Sequence, residues 1–195
     1  MSIQPPAENP PVVESVRPRP VLLSVQLRSQ RSWNLERLNR AFLRDRSDRF
    51  FDFLTAGTSN KTPEELTDIL KRKVFACNCL IDVRSNPNSR HTPYWNKSSM
   101  SKLLEKEGIT YLHKPELGVP TEIRRQLYSG KTSHQEFFAW YDSNVLTLSR
   151  LGEISKLVKD FAVTFLCTEV GPTYCHRHRI ALKLEAKGQY VSFDL

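Results

Sequence analysis

Two cysteines, an acid, a histidine and an arginine crowd one short stretch of this sequence: Cys167-Thr-Glu169, then Cys175-His176-Arg177 beyond a loop containing Gly171 and Pro172. The apolar run from Phe161 to Cys167 has the length and composition of a buried strand, and the segment from Pro172 to Lys187 reads as a helix closed by Gly188. With Pro172 or Thr173 at its start, Cys175, His176 and Arg177 fall in the first turn, where free backbone N–H groups and the positive end of the helix dipole favour anions. Such a turn suits a phosphate. The same field, with Arg177 and a protonated His176 close by, favours the thiolate of Cys175, the nucleophilic form. Cys167 supplies a second thiol at the strand end, and Glu169 offers a proton carrier or a charge partner for Arg84 or Arg177. Cys167, Glu169, Cys175 and His176 are therefore the candidate catalytic residues. The competing reading makes the cysteines small apolar residues that only close the core. Cys167, Cys175, His176 and His178 are also soft donors, but the seven residues between Cys167 and Cys175, and the single one in Cys77-x-Cys79, do not match zinc-knuckle spacing. No metal site is assigned on that pattern, and no cofactor is expected.

Strands and helices must bring these groups together. Phe50 to Ala56 reads as a short strand and Gly57-Thr-Ser-Asn60 as its turn. Thr62-Pro63-Glu64-Glu65 is a helix start, with an N-cap hydroxyl, a proline at the first helical position and a Glu placed to complete a capping box. Cys79 to Val83 is a compact apolar run suited to a buried strand, in which Asp82 and Arg84 share a face by period two, as an ion pair or a functional pair. Ser85 to Arg90 is a polar loop around Pro87. Ser98 to Glu107 is expected to be helical and to stop at Gly108, before a strand at Ile109 to Leu112 and an irregular loop from His113 to Pro120. Residues 121 to 159 carry two helical patterns, whose aromatics Phe137, Phe138, Trp140 and Tyr141 suit a core better than a base-stacking platform. Tyr190 to Phe193 gives the last strand.

This alternation predicts an α/β fold with a mainly parallel sheet and helices on both faces. In such a sheet the ligand crevice lies beyond the carboxyl ends of the strands. The loops at Gly57 to Asn60, Arg84 to Arg90 and Cys167 to Pro172 should meet there, making Ser59, Asn60, Arg84, Ser85, Arg90 and Arg177 the candidate substrate-binding residues.

Lys plus Arg number 29 against 21 acids, a formal charge of +8, and a surface so biased attracts phosphates. Nucleotides or nucleic acid are the expected partners. No charged start followed by an apolar stretch marks a secretory signal, and no run approaches the ~18 apolar residues of a membrane span. A cytoplasmic protein with reduced thiols and no membrane partner is expected. Residues 1 to 20, with six prolines, read as a flexible tail. Residues 21 to 49 read as an arginine-rich segment, and 50 to 195 as a single α/β domain.

Several stretches resemble the bacterial and phage-associated group known as Domain of Unknown Function 488. They are Thr55-Ala-Gly57-Thr-Ser-Asn60 before a helix, Ile81-Asp-Val-Arg-Ser85 with Pro87, Ser89 and Arg90, Tyr111 with Leu117-Gly118-Val-Pro120, and Phe165-Leu-Cys-Thr-Glu169 with Cys175-His-Arg177. The likeness runs from about residue 53 to 195. Val119 stands where the pattern usually has a second glycine. The resemblance implies an α/β fold with a pocket and brings no reaction or substrate. A fainter similarity to rhodanese and low-molecular-weight phosphatase loops is broken at Thr173, where those phosphatase loops carry arginine.

Two functions fit. One is a cysteine-containing enzyme acting on a phosphate-bearing substrate, either a nucleotide or a nucleic acid. The other is a non-catalytic α/β module that binds nucleic acid or a partner protein, with the arginine-rich segment as its contact.

Overall fold

The computed structural model describes residues 51–73, 75–187 and 190–195. The proline-rich tail, the arginine-rich segment and Gly188 lie outside them. Five parallel strands form one sheet: β1 (Phe53–Gly57), β2 (Cys79–Asp82), β3 (Thr110–His113), β4 (Val163–Cys167) and β5 (Ser192–Asp194), in the order β3-β2-β4-β1-β5. The α/β expectation holds. Every residue of β1, β2 and β4 is buried, which is why these segments are apolar without interruption, whereas β3 and β5 form the half-exposed edges.

Alternate residues of the central strands feed two cores. Phe53, Ile81, Val163, Phe165 and Cys167 face Phe137, Tyr141, Ile154 and Ile180, while Leu54, Leu80 and Leu166 face Leu66, Leu70, Met100 and Leu104. The helices follow that division. On the second face lie α1 (Pro63–Lys71) and α2 (Lys97–Lys106), and on the first α4 (His134–Asn144), α5 (Leu148–Asp160) and α6 (His176–Ala186), with the half-buried α3 (Thr121–Tyr128) preceding them. Strand β4 thus sends its chain to the first face, while its neighbours β1 and β2 send theirs to the second. The loops after these three adjacent strands meet at the carboxyl end of β4, where the chain direction switches faces.

Local chemistry sets most of the boundaries. Thr62 accepts from the Glu65 N–H at 3.1 Å and the Glu65 carboxylate receives the Thr62 N–H at 2.8 Å, the full capping box, with Pro63 at the first helical position. Helix α2 ends where Gly108 adopts φ +70° and the Ile109 N–H reaches back to the Leu104 carbonyl.

Several boundaries depart from expectation, among them the last strand, Ser192–Asp194 and not Tyr190 to Phe193. Gly57 completes β1 instead of starting a turn, because it still pairs with Cys167. Residues 121 to 160 hold three helices and not two, since α3 buries no residue fully and only Ile123 and Leu127, four apart, mark its inner face. The loop from His113 to Pro120 contains a short 3-10 turn, Pro115–Leu117. Helix α6 begins at His176, because the Cys175 N–H closes a turn onto the Pro172 carbonyl at 2.9 Å and Cys175 itself is extended.

The position of α6 against α4 rests partly on Asp142, which receives Arg179 and Lys183. Burial alone would raise the Asp142 carboxyl, but the hydrogen bonds from these two bases outweigh it and hold it below its ordinary value of 3.8. A depressed carboxyl contributes stability that is present above its unfolded value and lost as pH falls through the folded one. Acid titration of unfolding should therefore show a loss beginning near pH 3.8 and extending below it. Asp142→Asn should flatten that limb, and an unchanged acid limb in the variant would assign it to other carboxyls.

Among the described residues, no helix is long and apolar enough to cross a membrane.

Candidate functional site

Cys167 ends β4 and Cys175 caps α6, and the loop between them folds Glu169 back over both. The Sγ atoms of Cys167 and Cys175 each donate to Glu169 Oε2 at 2.9 Å. Cys167 Sγ also lies 3.7 Å from each ring nitrogen of His176. The donor atoms of all four residues lie within 4.8 Å of one another, although eight positions separate the first cysteine from the second. The cluster is secluded: Cys167 and Cys175 are 2% and 1% exposed, both cysteines are free thiols, and only Glu169 is half-buried.

The orientation of each group comes from outside the loop. His176 Nε2 lies 3.2 Å from the Val83 carbonyl at the end of β2, which makes Nε2–H the donor and leaves the Nδ1 lone pair unprotonated in the neutral ring. Tyr141 packs its ring 5.4 Å from that of His176 and donates its hydroxyl to the Leu117 carbonyl at 2.6 Å. Arg177, fully buried, donates Nη1 to the Glu169 carbonyl at 2.5 Å, Nη2 to the Val170 carbonyl at 3.0 Å and Nε to Asp194 Oδ1 at 3.2 Å. The loop is pressed against β1 at Gly57, where a Cβ would stand 2.0 Å from the Glu169 carbonyl oxygen. Backbone bonds from Thr58 to Cys167 and from Ser59 to Thr168 complete the seam.

The protonation states follow from this packing. Burial pushes the Cys175 thiol well above the ordinary range, and the neighbouring Cys167 adds to the rise, so the contribution of His176 does not prevail. That is the opposite of the activation expected from the helix terminus: with Arg177 turned to Asp194 and the loop carbonyls, desolvation dominates. Burial would also raise Glu169, but the two thiol hydrogen bonds, its own backbone N–H and the His176 charge hold it below the usual carboxylate range. For His176, burial pulls down while the Cys175 hydrogen bond and the Glu169 charge prevail and raise it.

The expected substrate-binding residues divide. Arg84 is buried and committed, its Nε and Nη2 gripping both Asp82 oxygens and its Nη2 also reaching the Trp95 carbonyl at 2.8 Å. Asp82 takes a further hydrogen bond from Tyr111 at 2.6 Å. Neither Arg84 nor Arg177 pairs with the Glu169 carboxylate; the partners are Asp82 and Asp194. Ser59 is exposed and donates to the Thr168 carbonyl at 2.6 Å, and Asn60 accepts from Lys61. Ser85 accepts from Arg124 Nη2 at 2.8 Å, close under Gly118, where a Cβ would meet the Ser85 nitrogen at 2.4 Å. Arg90 is exposed on the β2 loop. Sequence reasoning passed over Tyr141, Arg124 and Asp194; Tyr141 read only as core, and Arg124 and Asp194 stand in no pattern of their own.

A doubly wound parallel sheet with a buried thiol, carboxylate and imidazole cluster beyond the carboxyl end of its central strand defines the class. Residues 62–184 match the model of the family described as Domain of unknown function DUF488, and the chain belongs to that family. The match begins at Thr62, so the Thr55 to Asn60 stretch lies outside it. No curated protein and no solved structure matches the chain.

Proposed function

We propose that this protein is an enzyme acting on a phosphate-bearing substrate, a nucleotide or a nucleic acid, with Cys167, Glu169, Cys175 and His176 as its reacting centre. The observation that carries the reading is the double hydrogen bond from two thiols to one carboxylate oxygen held below its usual range, at the switch in chain direction beyond the carboxyl end of β4. The carboxylate lies in hydrogen-bond reach of both thiol protons, and His176, raised above its ordinary value, is the stronger base beside it. Anion attraction is supported by the net charge of +8, by exposed Arg90 on the neighbouring loop, and by the first turn of α6, to which Cys175 makes no side-chain cap bond. Arg84 and Arg177 act by positioning, since their donors are turned to protein acceptors.

The full chain should be incubated with a panel of nucleoside mono-, di- and triphosphates and short oligonucleotides, followed by phosphorus NMR and chromatography. Conversion of one class is expected, reduced at least ~100-fold by Cys167→Ser or Glu169→Gln in folded protein. Conversion that survives both changes, or binding with no conversion of any member, overturns the reading.

The binding-module alternative draws on the arginine content of residues 21–49. Under it, removing residues 1–49 abolishes a salt-dependent affinity for oligonucleotides that the cluster variants retain.

A further inference from the structure

The donor set of the cluster is that of a transition-metal site. Two thiols, a carboxylate and an imidazole lie within 4.8 Å of one another. A tetrahedral zinc centre, with ligand bonds of about 2.0 to 2.3 Å, sets its donor atoms roughly 3.3 to 3.8 Å apart. Around Cys167 the 3.7 Å separations fall within that range and the 2.9 Å separation lies below it, so side-chain movements of under about 1 Å suffice. We propose that Cys167, Glu169, Cys175 and His176 together bind one divalent zinc-class ion. The proposal rests on the reading of this cluster as the working centre and assigns its two sulfurs to coordination.

Three further features match what such a centre needs. Metal-bound histidines commonly donate the ring N–H that faces away from the metal to a carbonyl, which fixes tautomer and orientation. His176 supplies the outer bond, with Nε2 on the Val83 carbonyl, and because Cys167 Sγ lies 3.7 Å from both ring nitrogens a small tilt of the ring brings Nδ1 toward the sulfurs. The charge left over is small, although Arg177 also pairs with Asp194. One Zn²⁺ with two thiolates and a carboxylate carries a net charge of −1, and the buried guanidinium of Arg177, tied to the Glu169 carbonyl, stands beside it. Finally, Gly57 and Arg177 fix the backbone of the Glu169 loop, so the carboxylate is held against both sulfurs before any ion arrives.

Binding is written as Zn²⁺ replacing the two thiol protons, which leave to solvent by way of the Glu169 carboxylate; no electron is transferred. Softness favours zinc or cobalt over magnesium or calcium, which take all-oxygen sets. Carboxylates are the most readily exchanged of the four donors, so Glu169, the half-buried member, is the ligand that gives way to a water or to a phosphate oxygen. That is the open position a catalytic centre keeps.

The full chain, stripped with a chelator and kept reduced, should be titrated with Zn²⁺ in a calorimeter in two buffers of different ionisation enthalpy, and with Co²⁺ in a spectrophotometer. Expected are one ion per chain, release of about two protons, and for Co²⁺ a thiolate charge-transfer band with the intense visible bands of tetrahedral coordination. Cys167→Ser or His176→Gln should weaken the affinity at least ~100-fold, whereas Cys77→Ser, at a buried cysteine outside the cluster, should leave it unchanged. No uptake by the unaltered chain, a cobalt spectrum of octahedral form, or equal affinity in the cluster variants would overturn the proposal, and the first two readings require no variant to fold. The two ideas fail separately: cysteine-dependent turnover in metal-free protein removes the metal and keeps the enzyme, while stoichiometric tetrahedral binding with no turnover removes the enzyme and keeps the site.

Discussion

Replacing Arg177 by methionine is expected to lower the free energy of unfolding by about 3 to 5 kcal/mol, the range for breaking a buried ion pair from one side. Methionine fills much of the volume, so the loss is of charge and hydrogen bonds and not of packing. The guanidinium is fully buried, and its removal strands the Glu169 and Val170 carbonyls and takes from Asp194 its cationic partner. Asp194 is itself partly exposed and keeps its contact with the Thr55 hydroxyl, which places the expected loss toward the lower end. Lysine should rescue little, since a single ammonium cannot reach three acceptors from one fixed plane. Urea unfolding monitored by circular dichroism measures it. A loss under about 1 kcal/mol, the scale of an exposed pair, would show that water replaces the guanidinium and that the loop does not depend on it.

The second large effect is expected at Gly57. A methyl group there would lie 2.0 Å from the Glu169 carbonyl oxygen and 2.9 Å from its carbon, both backbone atoms with no rotamer to yield. The β4 loop must therefore move outward by about 1 Å, carrying the Glu169 carboxylate away from the two sulfurs. Displacements of that size cost roughly 100-fold where a constellation depends on position. Gly57→Ala should accordingly weaken zinc binding, and any turnover, by about 100-fold, and lower stability by about 1 to 3 kcal/mol through overpacking. Gly152→Ala serves as the control: it sits in α5 with nothing within 4 Å of its added methyl, so it should be neutral or stabilise by up to about 1 kcal/mol. Equal behaviour of the two variants would show that the loop is pliant at Gly57.

These residues also mark how far the sequence could be read. The buried strands, the Thr62 capping box and the Gly108 stop are written in contiguous residues, because strand burial and helix caps depend on neighbours a few positions apart. The same is true of Asp82 with Arg84, whose period-two spacing anticipated the ion pair. The four cluster residues, singled out as candidates by type, do come together in the fold, as do the loops after β1, β2 and β4. The cluster's spacing gave no zinc-knuckle pattern, since seven residues separate the cysteines, and only the folded loop brings the four donors within 4.8 Å of one another.

The sequence by itself determined the alternation of strands and helices around a parallel sheet, though not the third helix at Thr121–Tyr128, and the side-chain types gathered beyond β4, since these are encoded in local periodicity, capping and residue identity. Tertiary structure alone decided what those groups do to one another. The Val83 carbonyl, 93 positions away from His176, sets its tautomer; Gly57 and Arg177 fix where Glu169 stands. Arg177, read as an anion grip, spends its donors on the loop and on Asp194, and Cys175, read as an activated thiolate, is a raised thiol. Both reversals have one cause: desolvation and the geometry of acceptors depend on which distant segments close over a residue, and no local pattern records that.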